Sequence, residues 1–377
     1  MKNLVTRVLK GPKMRASLSF PVVPERWLRI AVAMLATTIF QAGRVSAQFA
    51  NLQATDQLDV KKLSSPVVAG QFPNLSGDPA ILADGDQYRL FFTSPNLQRL
   101  QGAIAEATSP DLEHWTPVDS GNEVTGKGLV LLGIAGRWNE QLETAFAIKS
   151  NETYYLYYVG YPKVGWPTNP GQIGLATSSD GVHFTHKSNK PVLAVTANNY
   201  DASGLYSPVV IKYQDRFLMI YAGHCYASNR VTPGIYLLSA SSNDGLVWTK
   251  DKEPVLSPMP TVSWLEHGVA EPALVLGPDA NYYLFFTANL GDEQLRCIAV
   301  GRSANPLGPY TLASQPILRG TPGMFDEKGV LAPHVLIEDG KLRMWYLTSR
   351  FEEPADIHNI GYAEMPWPLA QFNEVLK

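Results

Sequence analysis

Three carboxylates recur at corresponding places along the chain, and they are the residues best suited to chemistry. Asp78 stands in GDPAIL, Glu143 in LETAFAI and Glu271 in AEPALVL, while two further copies of the same short pattern carry Ser207 in YSPVVI and Ala332 in APHVLI. Carboxyl groups gathered at one place repel one another's charge, which raises the proton affinity of at least one and lets an acid and a base coexist near neutral pH. That is the electrostatic requirement for cleaving an acetal between two sugars. A single Asp or Glu before Pro more often shapes a turn. Three at matching points of a repeat, with Ser and Ala in the other two, have no common turn requirement and read as a ligand or catalytic site.

The elements that position these residues follow from the repeat itself. The five patterns recur at intervals of about 64 residues, too long for a helical solenoid unit, so each unit is one small sheet. Each first apolar run is followed after a polar turn by an aromatic one: YRLFFTS, YYLYYVG, FLMIYAG, YYLFFTA and LRMWYLT. A third run follows (AIAEATS, IGLATSS, YLLSASS, IAVGRSA, IGYAEMP), then turn residues and an aromatic, and in three units a fourth patch at Pro191-Val192-Leu193, Pro254-Val255-Leu256 and Pro316-Ile317-Leu318. β-Branched and aromatic runs bounded by Gly, Asp and Asn are strands, and four antiparallel strands per unit make a propeller blade. The expectation is an all-β, five-bladed β-propeller. Its fifth blade lacks a fourth strand of its own, and Ser65-Pro66-Val67-Val68 supplies it, closing the ring and removing an open sheet edge.

In a propeller the innermost strands start on one face around a central channel, so Asp78, Glu143, Ser207, Glu271 and Ala332 form a ring there. The loops after the second strands overlook it with Ser94-Pro95-Asn96, Tyr161, His224, Asn289 and Arg350, and the connections entering the first strands bring Phe72, Trp138, Tyr200, Trp264 and Phe325. Aromatic faces beside carboxylates suit a sugar ring, whose C–H face stacks and whose hydroxyls accept and donate hydrogen bonds. Trp138 and Trp264 are the candidates for that contact, with His224, His267, Asp326 and Arg350 as polar partners. Phe72 and Phe325 are expected to wedge blades together. Asp201 and Asp326 each follow such an aromatic and are placed to lean over the ring.

Composition narrows the partners. The chain has 377 residues, a formal charge of -3, 8 Trp and 17 Tyr. That leaves no cationic excess to neutralise a phosphate backbone, which excludes nucleic acid as an expected partner. The run GNEVTGK at 121–127 is followed by Gly128 where a nucleotide-binding loop has Ser or Thr, and neither GxSxG nor HExxH occurs, so no complete nucleotide loop, nucleophile elbow or zinc motif competes, and the chemistry requires no cofactor. Basic residues up to Arg29, an apolar stretch from Ile30 to Phe40 and Val45-Ser46-Ala47 before Gln48 read as an export signal cleaved after Ala47. The expected organisation is therefore a signal peptide over residues 1–47 and one propeller domain over 48–377, exported to the periplasm or beyond, with no membrane association once the signal is removed. The long basic stretch also admits translation from Met14. The two cysteines, Cys225 and Cys297, allow one disulfide at most.

From residue 65 to 366 the chain resembles glycoside hydrolase family 43, with the related invertase and levansucrase families and the propeller mannoside phosphorylases. The resemblance rests on the blade pattern and on GDP and AEP. It implies an oligo- or polysaccharide substrate, with Asp78 as base or nucleophile and Glu271 as general acid. In that group a third-blade Asp orients the acid and tunes its pKa; here the matching residue is Ser207, and Asp201 or Glu143 is the substitute that would restore the charge. The resemblance also implies a metal ion in the channel beside a fifth-blade histidine, which maps onto His334. Two readings stay open: a glycosidase, and a propeller that binds sugar without cleaving it.

Overall fold

The computed structural model describes residues 52–54, 59–67, 77–96, 101–121, 128–163, 169–289, 296–352, 355–373 and 375. The proposed export signal and Phe72 lie outside the described residues. Five antiparallel sheets follow one another along the chain. Blade 1 is built from Gly77–Asp84, Gln87–Asn96, Gln101–Ser109 and Thr116–Pro117, with Leu129–Leu132 also on its third strand. Blade 2 comprises Gln141–Ser150, Thr153–Tyr161, Gln172–Ser178 and Thr185–His186. Blade 3 comprises Gly204–Tyr213, Arg216–Cys225, Gly234–Ser242 and Thr249–Lys250. Blade 4 comprises Val269–Leu276, Tyr282–Ala288, Cys297–Ser303 and Thr311–Leu312, with Leu318–Arg319 on the third strand. Blade 5 is Val330–Glu338, Lys341–Glu352 and Ala355–Pro366, followed in the sheet by Lys61–Leu63 and Leu52–Ala54. Each first strand packs against the first strand of the next blade, and that of blade 5 packs against that of blade 1. The architecture is a five-bladed propeller with the first strands innermost.

The N-terminal segment joins blade 5 through Lys61 opposite Glu364 and Lys62 opposite Ala363. Val67 N–H then donates to Ile360 C=O at 2.8 Å. The pairing strand thus begins four residues before the expected Ser65, and Val68 lies outside the described residues.

The aromatic second strands explain how blades adhere. Alternate side chains of a strand point to opposite faces, so each adjacent pair of large residues serves two interfaces. Phe91 packs toward blade 2 with Leu156 and Tyr158, whereas Phe92 packs toward blade 5 with Trp345 and Tyr362. Tyr157 joins Met219 and Tyr221 of blade 3; Phe286 joins Ile220 and Leu237; Phe285 joins Met344 and Tyr346 of blade 5. Burying each such ring contributes about 1.5–3 kcal/mol, and Val60, Leu63 and Val67 bring the N-terminal segment into the two interfaces of blade 5.

In blades 2, 3 and 5 a second device ties the loop entering the blade to the strand that ends it. In blade 5 the buried Lys62 ammonium meets Asp326 Oδ2 at 2.8 Å, and Tyr346 donates to the same oxygen at 2.9 Å. Blade 3 repeats this with Lys250, Asp201 and Tyr221. Blade 2 uses uncharged partners: Asn139 donates to Tyr158 at 3.1 Å, and Tyr158 Oη lies 2.8 Å from His186. Blade 4 fills the same places with Leu265, Phe286 and Leu312, all buried.

Candidate active site

The innermost strands do not run straight to the channel. In every blade the pairing between first and second strands slips, between Gly77 and Ala80, Glu143 and Phe146, Tyr206 and Val209, Ala270 and Ala273, and Leu331 and His334. At each slip one residue takes a left-handed conformation: Asp78 (φ 53°), Thr144 (44°), Ser207 (49°), Glu271 (51°) and Ala332 (43°). Such a bulge bends the strand and re-aims one side chain. All five line a cavity of about 40 Å³ on the axis, together with Pro79, Ala145, Pro208, Pro272, Pro333 and His334. The ring residue of blade 2 is therefore Thr144, and Glu143 sits one position earlier, where its neighbours in blades 1 and 3 are Gly77 and Tyr206.

Asp78 and Glu271 are held in the same way. Thr93 Oγ1, on the second strand of blade 1, donates to Asp78 Oδ2 at 2.7 Å, and the Thr144 N–H from blade 2 reaches both that hydroxyl, at 2.9 Å, and the carboxylate. Thr287 Oγ1, on the second strand of blade 4, donates to Glu271 Oε2 at 2.6 Å, and the Ala332 N–H from blade 5 donates to the same oxygen at 2.9 Å. Thr93 pairs with Gly77, and Thr287 with Ala270, the residues just before the bulge. The corresponding second-strand residues of blades 2, 3 and 5 are Val159, Ala222 and Leu347. The two blades with a carboxylate in the ring are thus the two with a hydroxyl to hold it.

Glu143 accepts a hydrogen bond from Tyr161 Oη. From there an aromatic wall continues into blade 3. Tyr161 and Tyr206 have ring centroids 6.1 Å apart, Tyr206 and His224 4.3 Å, and His224 and Tyr226 5.7 Å. His224 Nδ1 lies 2.8 Å from the Tyr226 hydroxyl. The opposite side of the channel, in blade 5, is apolar, with Leu331, Ala332 and Leu347 in one cluster.

Enclosure dominates the electrostatics. Burial raises Asp78 to about 6, against the opposing pull of the Thr93 and Thr144 donors. Burial first and the Asp78 charge second raise Glu143 to about 8, with the Tyr161 hydrogen bond opposing. Glu271 is also raised, by burial and then by Asp78. Near pH 7 this arrangement favours an ionised Asp78 beside a protonated Glu143. Such split proton affinities are what general acid and base roles require.

The remaining candidates fall into different places. Asp201 and Asp326 are fully buried and committed to Lys250 and Lys62, so they serve blade assembly and do not lean over the ring. Trp264 is 7% exposed and belongs to the core between blades 3 and 4, which removes its face from a sugar. Trp138 is half-buried, stacks on Tyr158 and donates its indole N–H to Asn189 C=O at 3.0 Å. His267 is exposed, with its backbone N–H on Asn289 Oδ1, and borders a groove of about 610 Å³ with Tyr200, Tyr236 and Glu266. Arg350 lies in the second strand of blade 5, opposite Ile357. Cys225 and Cys297 are buried and unpaired.

His334 reaches the axial cavity, but it is enclosed, bonds to the Ile81 carbonyl and is lowered to about 4 by burial. Among the described residues no group of three or more His, Cys, Asp or Glu side chains is placed to hold a metal ion. These residues do not fit a protein-built metal cage around His334, and no catalytic step is routed through one. No helix among the described residues is long and apolar enough to cross a membrane.

Residues 145–319 match the sequence model of the glycosyl hydrolases family 32 N-terminal domain. The match spans the ring positions Ser207 and Glu271, while Asp78 and Glu143 precede it. No curated protein matches the chain. Among solved structures, a thermostable family-43 glycoside hydrolase is similar, with a TM-score of 0.58, 20% identity and coverage of 76% of this chain and 88% of that one. The β-1,2-mannobiose phosphorylase of Listeria innocua gives a TM-score of 0.57 at 10% identity, covering 83% of this chain and 92% of that one. An endo-arabinase of Bacteroides thetaiotaomicron gives 0.56 at 15%, covering 81% and 96%. The likeness to propeller glycoside hydrolases expected from the blade pattern holds, and these structures share the five-bladed fold.

Proposed function

We propose that the protein is an exported glycoside hydrolase that cleaves an oligo- or polysaccharide with Asp78 and Glu271. The observation that carries this reading is the matched support of the two carboxylates, each with a threonine from its own blade and a backbone N–H from the next. Both carboxylates are held on the axial cavity, whereas Asp201 and Asp326 are buried against the Lys250 and Lys62 ammonium groups. The family-model match and the glycosidases among the similar structures support the same reaction class.

In this mechanism Glu271 gives its proton to the glycosidic oxygen as the C–O bond breaks. Asp78, ionised at neutral pH, takes a proton from attacking water or bonds to the anomeric carbon itself, the negative charge in either case opposing the positive charge that develops on the sugar. Glu143 stays neutral beside Asp78 and returns to the region the charge that a third-blade Asp would bring only above about pH 8. Ser207 at that third-blade position favours the second reading, a propeller that binds glycan without turnover.

The test is a screen of the mature protein against aryl arabinofuranosides, xylosides, galactosides and fructans, with binding measured on the same sugars. Turnover lost in Asp78→Asn supports the hydrolase, and binding without turnover in the wild type selects the second reading. The export part of the proposal rests on the residues before Gln48; N-terminal sequencing of the secreted protein is expected to begin at Gln48, and an intact Ile30 to Phe40 segment in the mature chain would count against it.

A further inference from the structure

One aromatic side chain stands out from the rest of the surface. Among the described residues the exposed large hydrophobics are Tyr226, Val247, Leu276 and Val375, and Tyr226, at 50%, is the aromatic one. It follows the second strand of blade 3, whose end pairs with the start of the innermost strand, His224 opposite Gly204. Tyr226 therefore stands on the face where the ring residues lie, on one of the three blades that bring no carboxylate to the ring.

Tyr226 is also held in place. Its backbone N–H donates to Ser203 Oγ at 3.0 Å, and its hydroxyl meets His224 Nδ1 at 2.8 Å. A long polar side chain exposed at a rim gains nothing in stability from an anchor of this kind, whereas a surface that must meet a ligand gains by losing less rotamer freedom on binding. The anchor is incomplete on its far side. His224 is buried, and its Nε2 has no hydrogen-bond partner among the described residues. Burial lowers this imidazole to about 3, so the ring is neutral. In the neutral ring one nitrogen donates and the other accepts, so with Nδ1 engaged by the Tyr226 hydroxyl, Nε2 is a donor or an acceptor left without a counterpart. An orphaned buried polar atom of this sort is costly unless a ligand or water answers it.

A third observation connects the pair to the carboxylates. Tyr226 ends the aromatic wall that runs through His224, Tyr206 and Tyr161 to Glu143, and Glu143 feels the charge of Asp78. We propose that Tyr226 is a stacking platform for one ring of the glycan bound at the carboxylates, and that His224 both locks the platform and presents its Nε2 to a sugar hydroxyl, which can donate or accept. The ligand is a pyranose or furanose unit whose C–H face covers the Tyr226 ring. The inference rests on the glycan-handling reading above.

The test combines Tyr226→Ala, Tyr226→Phe and His224→Gln with the aryl glycosides and the corresponding oligosaccharides of three or more units. Calorimetric binding is measured with Asp78→Asn as the common background. Tyr226→Ala is expected to weaken oligosaccharide binding by about 3- to 10-fold, the range of an aromatic contact, with the loss in KM and Kd and little in kcat. Tyr226→Phe keeps the ring and releases the lock, so its loss is smaller than that of Ala. Unfolding temperature of Tyr226→Ala should stay with the wild type, because half the ring is in solvent. Turnover or binding that Tyr226→Ala leaves intact overturns the platform and spares the hydrolase. Tyr226-dependent binding without turnover keeps the platform and overturns the hydrolase. Absence of both turnover and binding across the panel overturns both.

Discussion

Replacing Glu143 by Gln should stabilise the protein, by an amount that grows with pH. Folding raises this carboxyl from 4.5 to about 8, chiefly by burial and then by Asp78, so the folded chain binds the proton more tightly than the unfolded one. The stabilisation this provides is complete below the unfolded value and is lost as pH rises through the folded value. Gln is neutral throughout and keeps an oxygen for the Tyr161 hydroxyl, so it escapes the loss. At about 1.4 kcal/mol per unit, the advantage of Glu143→Gln is near zero at pH 4, about 3 kcal/mol at pH 7 and about 5 kcal/mol at pH 9, as ceilings that relaxation of the folded protein reduces. For a propeller of this length the pH 7 figure corresponds to an unfolding temperature higher by about 4–5 °C. Calorimetry or urea unfolding of both proteins between pH 4 and 9 gives the curve directly. A difference that does not change with pH, or a variant less stable than the wild type at pH 9, refutes the enclosed and charge-coupled Glu143.

If the proposed roles hold, Glu271→Gln should slow natural glycosides far more than aryl glycosides with good leaving groups, while Asp78→Asn should abolish both; steady-state rates on the two substrate types decide this. Thr93→Val removes a donor that favours the ionised Asp78, so the acidic limb of the pH–rate profile should move upward from about 6. A limb that stays in place separates Asp78 from that limb. Asp326→Asn removes the carboxylate charge beside the buried Lys62 ammonium, which keeps its hydrogen bonds to Arg319 C=O and Thr321 Oγ1, and should cost about 3–5 kcal/mol, measured by urea unfolding. Combining Lys62→Leu, Asp326→Leu and Tyr346→Phe copies the apolar arrangement of blade 4 and should recover most of that loss; no recovery would show that blade 5 needs the ion pair for more than packing.

The blades were legible because each repeats the same order of apolar, aromatic and turn residues, and five copies reinforce one another. The ring was legible only where proline marks it. Pro79, Pro208, Pro272 and Pro333 each follow a left-handed ring residue, but blade 2 has Ala145, and without that marker the acidic Glu143 was aligned in place of Thr144. Asp201 and Asp326 looked available for chemistry because their partners are remote: Lys250 is 49 residues away and Lys62 264. Aligning the fourth strands across blades would have shown Lys62, Lys250, His186 and Leu312 as one position facing Asp326, Asp201, Asn139 and Leu265. Trp264 was misplaced for a related reason, since an approach loop can turn its aromatic inward under the next blade as readily as outward. Tyr226 escaped notice because it has no counterpart in the other blades, and a repeat-based reading discards what does not repeat.

The left-handed residue at the start of every innermost strand has a consequence for how such a protein can change. Holding a non-glycine residue there costs on the order of 1 kcal/mol, and blades 2, 3 and 5 bear that cost at Thr144, Ser207 and Ala332 without a carboxylate to aim. They are vacant sockets of the same shape as the two in use. Relocating or adding an acidic group then requires no new loop and no new register, only two side-chain exchanges within one blade, such as Ser207→Asp with Ala222→Thr. A scaffold with this property can exchange one arrangement of charges for another by point mutation while its sheets remain as they were.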